Sequence, residues 1–582
     1  VLTHYTSTVR PRHSSSFSKM MFDDRSSSKS KRELSPVPRP SSVSSNECDN
    51  ADGLQRRLNN RQIQLIAIGG SIGTGLFIGI GAGLAKGGPG SLLVCTALYA
   101  CVLALVNNSI AEMSTYMPVS GGFIRLAGAW VDDALGFMVG WNFFLYEALL
   151  IPFEIVALNL VLSFWNDKIT DPGPTAGFCA AIIIVYGILN VLAVGVFGEA
   201  EFWLSIGKVL LIFILFGFTF VTMVGGNPQH DAYGFRYWSN PNDAFATYRS
   251  FGDLGRLEGF MGALAAAAFY VVGPDYISMV AAEAKHPSRY IKTAFKTVYF
   301  RFGLFFIGAA LTCGIVVAHN DPALVNIHID GAGGGTAAAS PYVIAMTNMG
   351  IGVLPHIVNA LLFTTIFSAG NTYTYCATRS LYSLALEGRA PAFLKKTTKN
   401  GVPIYCFGIT MLFPFLSFLQ LDSGSAKALS ILLSLITGGG IVDYITMSIT
   451  FLFFYRACKV QGLDRKTLPY YGYFQPYGAW IALVIQIIVV YTYGYTALSP
   501  FDVTNFFSNY TMQIVAPFLY LGWKLLKRTK LVKPEECDLV WDRPIIDAYE
   551  EKLMVVDPPT TFWSEMCAMF GFGKKKVFTE KA

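Results

Sequence analysis

The chain has 582 residues, 53% of them hydrophobic and only 14% charged, with a mean hydropathy of +0.45. Soluble domains carry about 25% charged residues, so the composition excludes an ordinary soluble enzyme or binding module and implies a protein solvated by lipid. The formal net charge of +6 does not mark a nucleic-acid binder, because Lys and Arg stand at the ends of apolar stretches and in the tails, where they act as topology signals. The ten cysteines stand singly, several inside apolar runs (Cys95, Cys101, Cys179, Cys313, Cys376), with neither a paired framework nor metal-ligand spacing, so no metal and no cofactor is expected.

Residues 1–60 are polar, basic and Ser-rich, as in SSSKSKRELSPVPRPSSVSS (Ser26 to Ser45), and contain no cleavable apolar core. They cannot bury enough apolar area to fold and are expected to form a disordered tail. About 20 apolar residues cross a bilayer. Twelve stretches qualify, near 63–84, 91–112, 134–165, 177–197, 203–225, 258–280, 298–319, 342–386, 403–420, 428–455, 478–497 and 508–527. The expectation is an all-α membrane domain over residues 61–527, followed by a C-terminal tail, 528–582.

With the N-terminus inside, the inner loops collect Arg125; Lys285, Arg289, Lys292, Lys296 and Arg301; Arg389, Lys395, Lys396 and Lys399; and Arg456, Lys459, Arg465 and Lys466. The outer loops hold fewer, which places both tails in the cytoplasm.

Two spans carry helix breakers. Span 1 reads LIAIGGSIGTGLFIGIG (Leu65 to Gly81), and span 6 holds Gly273-Pro274-Asp275 near its middle. Interior glycines cost a helix roughly 1 kcal/mol each relative to alanine, and proline removes a backbone donor. Gly75, Gly79 and Gly83 also fit a small-residue packing seam, whereas Gly69, Gly70, Gly73 and Gly75 are denser than a seam needs. A phosphate-binding loop is excluded by the missing GxGxxG register and the hydrocarbon flanks. Interrupted spans five helices apart point to inverted repeats with a site at the bilayer midplane. The half-helix beginning near Thr74 offers N–H groups to a carboxylate. The carbonyls ending the first half of span 6, around Phe269 to Val272, suit an ammonium. Together they complement the backbone part of an α-amino acid.

The stretch LNNRQIQLIAIGGSIGTGLFIGIGAGLAKGGPGSLL (Leu58 to Leu93), YMPVSGGF (Tyr116 to Phe123), IPFEIVA in span 3, AAEAKHP (Ala281 to Pro287), FSAGNTYTYCATRSLYSLALEGRAP (Phe367 to Pro391) and VPIY (Val402 to Tyr405) resemble the fungal amino-acid permeases. These form the yeast amino acid transporter family of the amino acid, polyamine and organocation superfamily. The resemblance runs from about Leu58 to Glu550. It implies a LeuT-like five-plus-five inverted repeat with two extra helices, plasma-membrane location, and proton-coupled amino-acid import of broad or neutral specificity. It further implies that Ser71, Ile72, Gly73, Thr74 and Gly75 hold the substrate carboxylate, and that backbone near Phe269, Tyr270 and Gly273 holds the amino group. The sequence departs from the family's commoner span 6 pattern at Val271, Val272, Gly273, Pro274 and Asp275, so side-chain selectivity does not carry over.

Ionisable residues inside a membrane are functional candidates by default. Lys208 lies about five residues inside span 5; it either snorkels to the interface or, as the resemblance implies, stands beside span 1 in the place of a sodium ion and takes part in proton coupling. Glu154 follows Pro152 deep in span 3 and is the second proton-coupling candidate. Glu147, two turns earlier, shares roughly its helix face. Asp275 either faces the cavity or caps the second half of span 6. Asn371 and Tyr375 form a polar stripe in span 8 that lines the pocket or bonds helix to helix. Trp141, Phe144, Phe269 and Tyr270 are candidates for wall and gate.

No Ser/His/Asp set, HExxH or metal cluster suggests an enzyme. The expected partners are the amino-acid substrate, the lipid bilayer and, through the Ser- and Lys-bearing tails, the ubiquitylation machinery; Cys567 is a candidate for acylation. An amino-acid receptor that signals without transport, and a polyamine or carnitine transporter of the same superfamily, are the alternative readings.

Overall fold

Hydrocarbon offers backbone N–H and C=O groups no partners, so a spanning chain must satisfy them within helices or a closed barrel. The computed structural model describes residues 56–569 apart from 57, 193, 240–241, 330–339, 399–401, 424 and 499, and its regular structure is helical. Among the described residues there is no β-strand; two isolated bridges join Leu58 to Ala284 and Leu498 to Phe501. The expected N-terminal tail lies outside the described residues except for its last few positions.

Helix α1 (Asn60–Ser71) starts with the Gln62 side chain accepting from the Asn59 N–H at 3.1 Å, half of a capping box. The chain leaves the helix at Ile72 (φ −112°, ψ 100°), re-enters at Thr74, passes through a π-helical turn (Gly75–Gly79) and continues as α2 (Ile80–Tyr116). Gly88, at φ +75°, interrupts α2 just before Pro89. The second half of expected span 1 and all of span 2 therefore form one kinked rod. Short α3 (Gly122–Trp130) turns into α4 (Asp133–Leu162), whose first turn is capped by Asp132 accepting from Ala134 N–H at 3.1 Å. α5 (Pro172–Leu192) and α6 (Val194–Met223) follow.

The second interruption separates α7 (Gly252–Tyr270) from α8 (Pro274–Met279). After α9 (Pro287–Arg301), a second π turn (Phe302–Ile307) leads into α10 (Gly308–Val316). α11 (Pro322–His328) and α12 (Pro341–Asn348) precede α13 (Leu354–Leu386). α14 (Ile404–Thr410) and α15 (Gln420–Ser423), joined through a 3-10 turn, precede α16 (Ser425–Gln461), α17 (Tyr477–Thr492) and α18 (Val503–Lys527). Two amphipathic helices end the described chain, α19 (Arg543–Val556) and α20 (Phe562–Met569).

Nine helical segments among the described residues are long and apolar enough to cross a membrane. Of the twelve expected spans, the first is split between α1 and the start of α2. The eighth and twelfth, α13 and α18, are long helices that carry too many Asn, Thr, Ser and Lys residues to qualify by apolarity. α4 is apolar on nearly every side and lies against α13, α16 and α18, while α2 packs along α7.

Ion pairs tie the helix ends together. Glu112 of α2, fully buried, receives a two-pronged bond from Arg465 at 2.6 and 2.7 Å and the N–H of Gly472 at 2.9 Å. Arg389, in the EGRAP stretch, donates to Asp133 at the start of α4 (2.9 Å) and pairs with Glu387. The expected C-terminal tail is built into this end of the bundle as far as residue 569. Trp130 and Tyr116 donate to the carbonyls of Asp538 and Leu539 (3.1 and 2.8 Å), and Arg543 donates to Tyr116 O at 2.7 Å. Glu550 accepts from Ser288 N–H, and Glu565 from Arg61 N–H at the start of α1 (2.7 and 2.8 Å).

Gly88 supplies a clean test of this geometry. A Cβ there would meet Ala244 O at 2.8 Å on top of the positive φ, whereas one at Gly207 in α6 meets nothing within 4 Å. Gly88→Ala is expected to destabilise the protein by more than about 1 kcal/mol, and Gly207→Ala to leave it unchanged or slightly stabilised. Melting temperatures of the two purified variants check this.

Candidate functional site

The two interruptions meet. A Cβ at Gly75 would stand 3.0 Å from Tyr270 Cβ and 3.1 Å from Phe269 Cε1, and one at Gly273 would stand 3.3 Å from Ser71 Cβ. Glycine is required at both places, by close approach at Gly75 and by φ +140° at Gly273. Pro274 opens α8 at its first position, where a missing N–H costs nothing. Between the breaks lies a small cavity. Its walls are Ser71, Gly73 and Gly75 with Leu76 from the first break, Phe269, Tyr270 and Val272 from the second, Tyr146, Leu150 and Glu154 from α4, and Tyr373 from α13.

Of the residues singled out from sequence, Ser71, Gly73, Gly75, Phe269, Tyr270 and Glu154 thus share one cavity. Ile72 is fully buried at the C-cap of α1 and does not line it; Gly273 stands immediately beside Ser71. Thr74 faces Glu154: its hydroxyl donates to the carboxylate, and a Cβ on neighbouring Gly73 would stand 3.4 Å from Glu154 Oε1. Glu154 therefore occupies the N-terminal end of the second half-helix, where a negative charge meets the positive end of the dipole.

The opposite polarity appears at the end of α1. Lys208, fully buried, donates to Gly69 O at 2.8 Å, and lies within Coulombic range of Glu154. It does not snorkel. Arg301, counted among loop cations from the sequence, is only 4% exposed and donates to Ala67 O at 2.6 Å and to Ser71 Oγ at 3.4 Å. Arg301 is not a loop residue because α9 begins at Pro287, so that it stands at the end of a long helix and is carried inside. Two fixed cations thus meet the C-terminal carbonyls of α1, which suit positive charge.

Asp275 is the second residue of α8, 2% exposed and within Coulombic range of Arg301, with Gly273 as the helix N-cap. Glu147 is fully buried beside Tyr146. Asp443 in α16, which the sequence reading did not single out, is also buried and accepts from Asn142 Nδ2 at 2.9 Å. It was legible by the same rule that picked out Glu147, as an acid inside an apolar span. Asn371 does not line the cavity; it accepts from Asn190 Nδ2 at 2.8 Å and links α13 to α5. Tyr375 and Arg379 of α13 engage Glu283 of the AAEAKHP stretch at 3.4 and 3.3 Å. Trp141 donates to Arg389 O, and neither Trp141 nor Phe144 reaches the cavity, while Phe269 and Tyr270 do. Among the described residues no group of three His, Cys, Asp or Glu side chains is placed to hold a metal ion.

A multi-pass helical membrane protein with two facing helix breaks around an intramembrane cavity has the build of a transporter. The amino acid permease family profile matches residues 62–535, and the chain belongs to that family. It is 41% identical over 511 residues to the general amino acid permease AGP2 of Saccharomyces cerevisiae, covering 85% of this chain and 84% of that one. It is 36% identical to a proline-specific permease of Emericella nidulans (88% and 92% covered) and 32% identical to the lysine/arginine permease CAN1 of Candida albicans (89% and 89% covered). These relatives are permeases, which move their substrates without transforming them.

Arg301→Met removes the buried charged donor to Ala67 O and the cation that offsets Asp275, and is expected to cost about 2 kcal/mol, since a hydrogen bond to a charged group is worth about 1.5–3 kcal/mol. Adding Asp275→Asn is expected to recover part of that loss. Thermal unfolding of the two single variants and the double variant measures the coupling.

Proposed function

We propose that the chain imports amino acids together with protons across the plasma membrane by alternating access. Both termini lie in the cytoplasm, and twelve spans are arranged as two inverted five-span repeats with two further helices. The observation that carries this reading is the contact between the two breaks around one cavity, with a helix N-terminus at Thr74 and the last carbonyls of α7 both beside it. The backbone from Ser71 to Gly75 takes the substrate carboxylate, and the backbone near Phe269, Tyr270 and Gly273 takes the ammonium.

Glu154 supplies a physical route to coupling. Its carboxylate holds the same helix end that an incoming substrate carboxylate needs. Two negative charges at one half-helix repel, so a proton on Glu154 and a substrate at Thr74 favour each other, which is a thermodynamic coupling between proton and amino acid. Lys208, bonded to Gly69 on the other side of the break, provides a fixed positive charge where a free cation would otherwise be needed. The names of the relatives support amino acids as the substrate class and span general, proline and basic types.

Cells lacking their own amino-acid permeases, expressing this chain, are expected to accumulate labelled amino acids faster at external pH 5 than at 7.5, and to lose accumulation with an uncoupler. Glu154→Gln keeps an acceptor for Thr74 but carries no titrating proton; it is expected to bind substrate while losing the acid stimulation. A surface-expressed protein that binds an amino acid yet accumulates none of the panel overturns the importer reading in favour of a receptor.

A further inference from the structure

Behind the cavity wall, three helices each carry a buried carboxylate. Glu147 of α4, Asp275 of α8 and Asp443 of α16 are 0%, 2% and 1% exposed, and each lies within Coulombic range of the other two. Arg301 faces Asp275, but among the described residues no cation answers Glu147 or Asp443. Neither oxygen of Glu147 has a hydrogen-bond partner, and Asp443 uses only the oxygen that Asn142 reaches.

Two buried hydroxyls are likewise without hydrogen-bond partners. Tyr444 Oη has no hydrogen-bond partner and lies within range of Asp275 and Asp443. Tyr276 Oη, in the same helix as Asp275, has none either. Unmet carboxylates and hydroxyls buried in hydrocarbon are costly, and a cation is what such a set of oxygens satisfies best.

The cluster adjoins the substrate cavity. Tyr146, next to Glu147, lines that cavity, and so does Val272, three residues before Asp275. The α16 glycines pack directly on Tyr146: a Cβ on Gly439 would stand 3.2 Å from its Cβ, and one on Gly440 3.3 Å from its ring. Asp443 follows one helical turn after Gly439, on the same side of α16, and Asn142 ties the two helices there by donating to both Gly439 O and Asp443.

We propose that Glu147, Asp443 and Asp275 form a subsite for a positive charge on the substrate's side chain, so that amino acids with a cationic side chain are the preferred substrates. The inference rests on reading the chain as an amino-acid transporter, and it narrows the broad or neutral specificity expected from sequence. The backbone site at the two breaks holds the α-carboxylate and α-ammonium. Tyr146 forms the wall past which the side chain reaches the acids.

Thermal stabilisation of the purified full-length protein by lysine, citrulline and norleucine tests it. Lysine and norleucine differ chiefly in the terminal charge, and citrulline supplies a long polar side chain without one. Lysine is expected to half-saturate at a concentration at least about tenfold lower than norleucine, a factor worth one charge-assisted hydrogen bond. Glu147→Gln and Asp443→Asn are each expected to bring the two concentrations within about threefold. Equal affinity for lysine and norleucine in the wild type overturns the subsite, and is the result if these carboxyls serve only to carry protons. A lysine preference that survives in both variants overturns the residue assignment. If none of the three amino acids stabilises the protein, it is the amino-acid reading itself that fails, not the cation subsite alone.

Discussion

Everything in this molecule follows from the demand that a peptide group inside hydrocarbon find a partner. A helix meets that demand residue by residue, so two places where helices stop inside the bundle need compensation from elsewhere. At Ser71 to Thr74 the protein answers with charge: Lys208 and Arg301 meet the carbonyls that end α1, and Glu154 meets the hydroxyl of Thr74 that begins the next half-helix. Each sign stands at the helix end it favours. The second break is bridged differently, with Gly273 in a conformation that other residues avoid and Pro274 where its lost donor is harmless.

This arrangement explains why the site is both stable and usable. Small residues at the breaks let the two interruptions touch, and the aromatic side chains of Tyr146, Phe269, Tyr270 and Tyr373 form much of the cavity wall. In the proposed mechanism a substrate carboxylate meets the helix end that Glu154 already occupies. The buried acids Glu147, Asp275 and Asp443 stand behind the cavity lining and carry the proposed subsite for a side-chain cation.

The sequence made the breaks legible because glycine density and a Gly-Pro pair are local signals, independent of how helices pack. Glu154 and Lys208 were legible for a related reason, each being a charge in an otherwise apolar run. Arg301 was not, because span edges are set by tertiary packing: the helix that carries it starts fourteen residues earlier, at Pro287, and the position read as interface lies inside. Asn371 shows the converse limit. Its polar stripe was evident, but whether a polar side chain faces a cavity or a neighbouring helix depends on rotation about α13, and Asn190 settles it in favour of a helix-to-helix bond. The docking of residues 538–565 against Tyr116, Trp130, Ser288 and Arg61 was equally invisible, since it joins residues hundreds of positions apart.

The central claim is that one amino acid is held by both breaks at once. Hydrogen–deuterium exchange of the purified protein with and without a transported amino acid tests it most directly. The account predicts that substrate slows exchange together in the peptides covering Gly69–Leu76 and Phe269–Tyr276, where backbone groups take up the ligand. Protection confined to one of these segments, or appearing only elsewhere in the bundle, contradicts it.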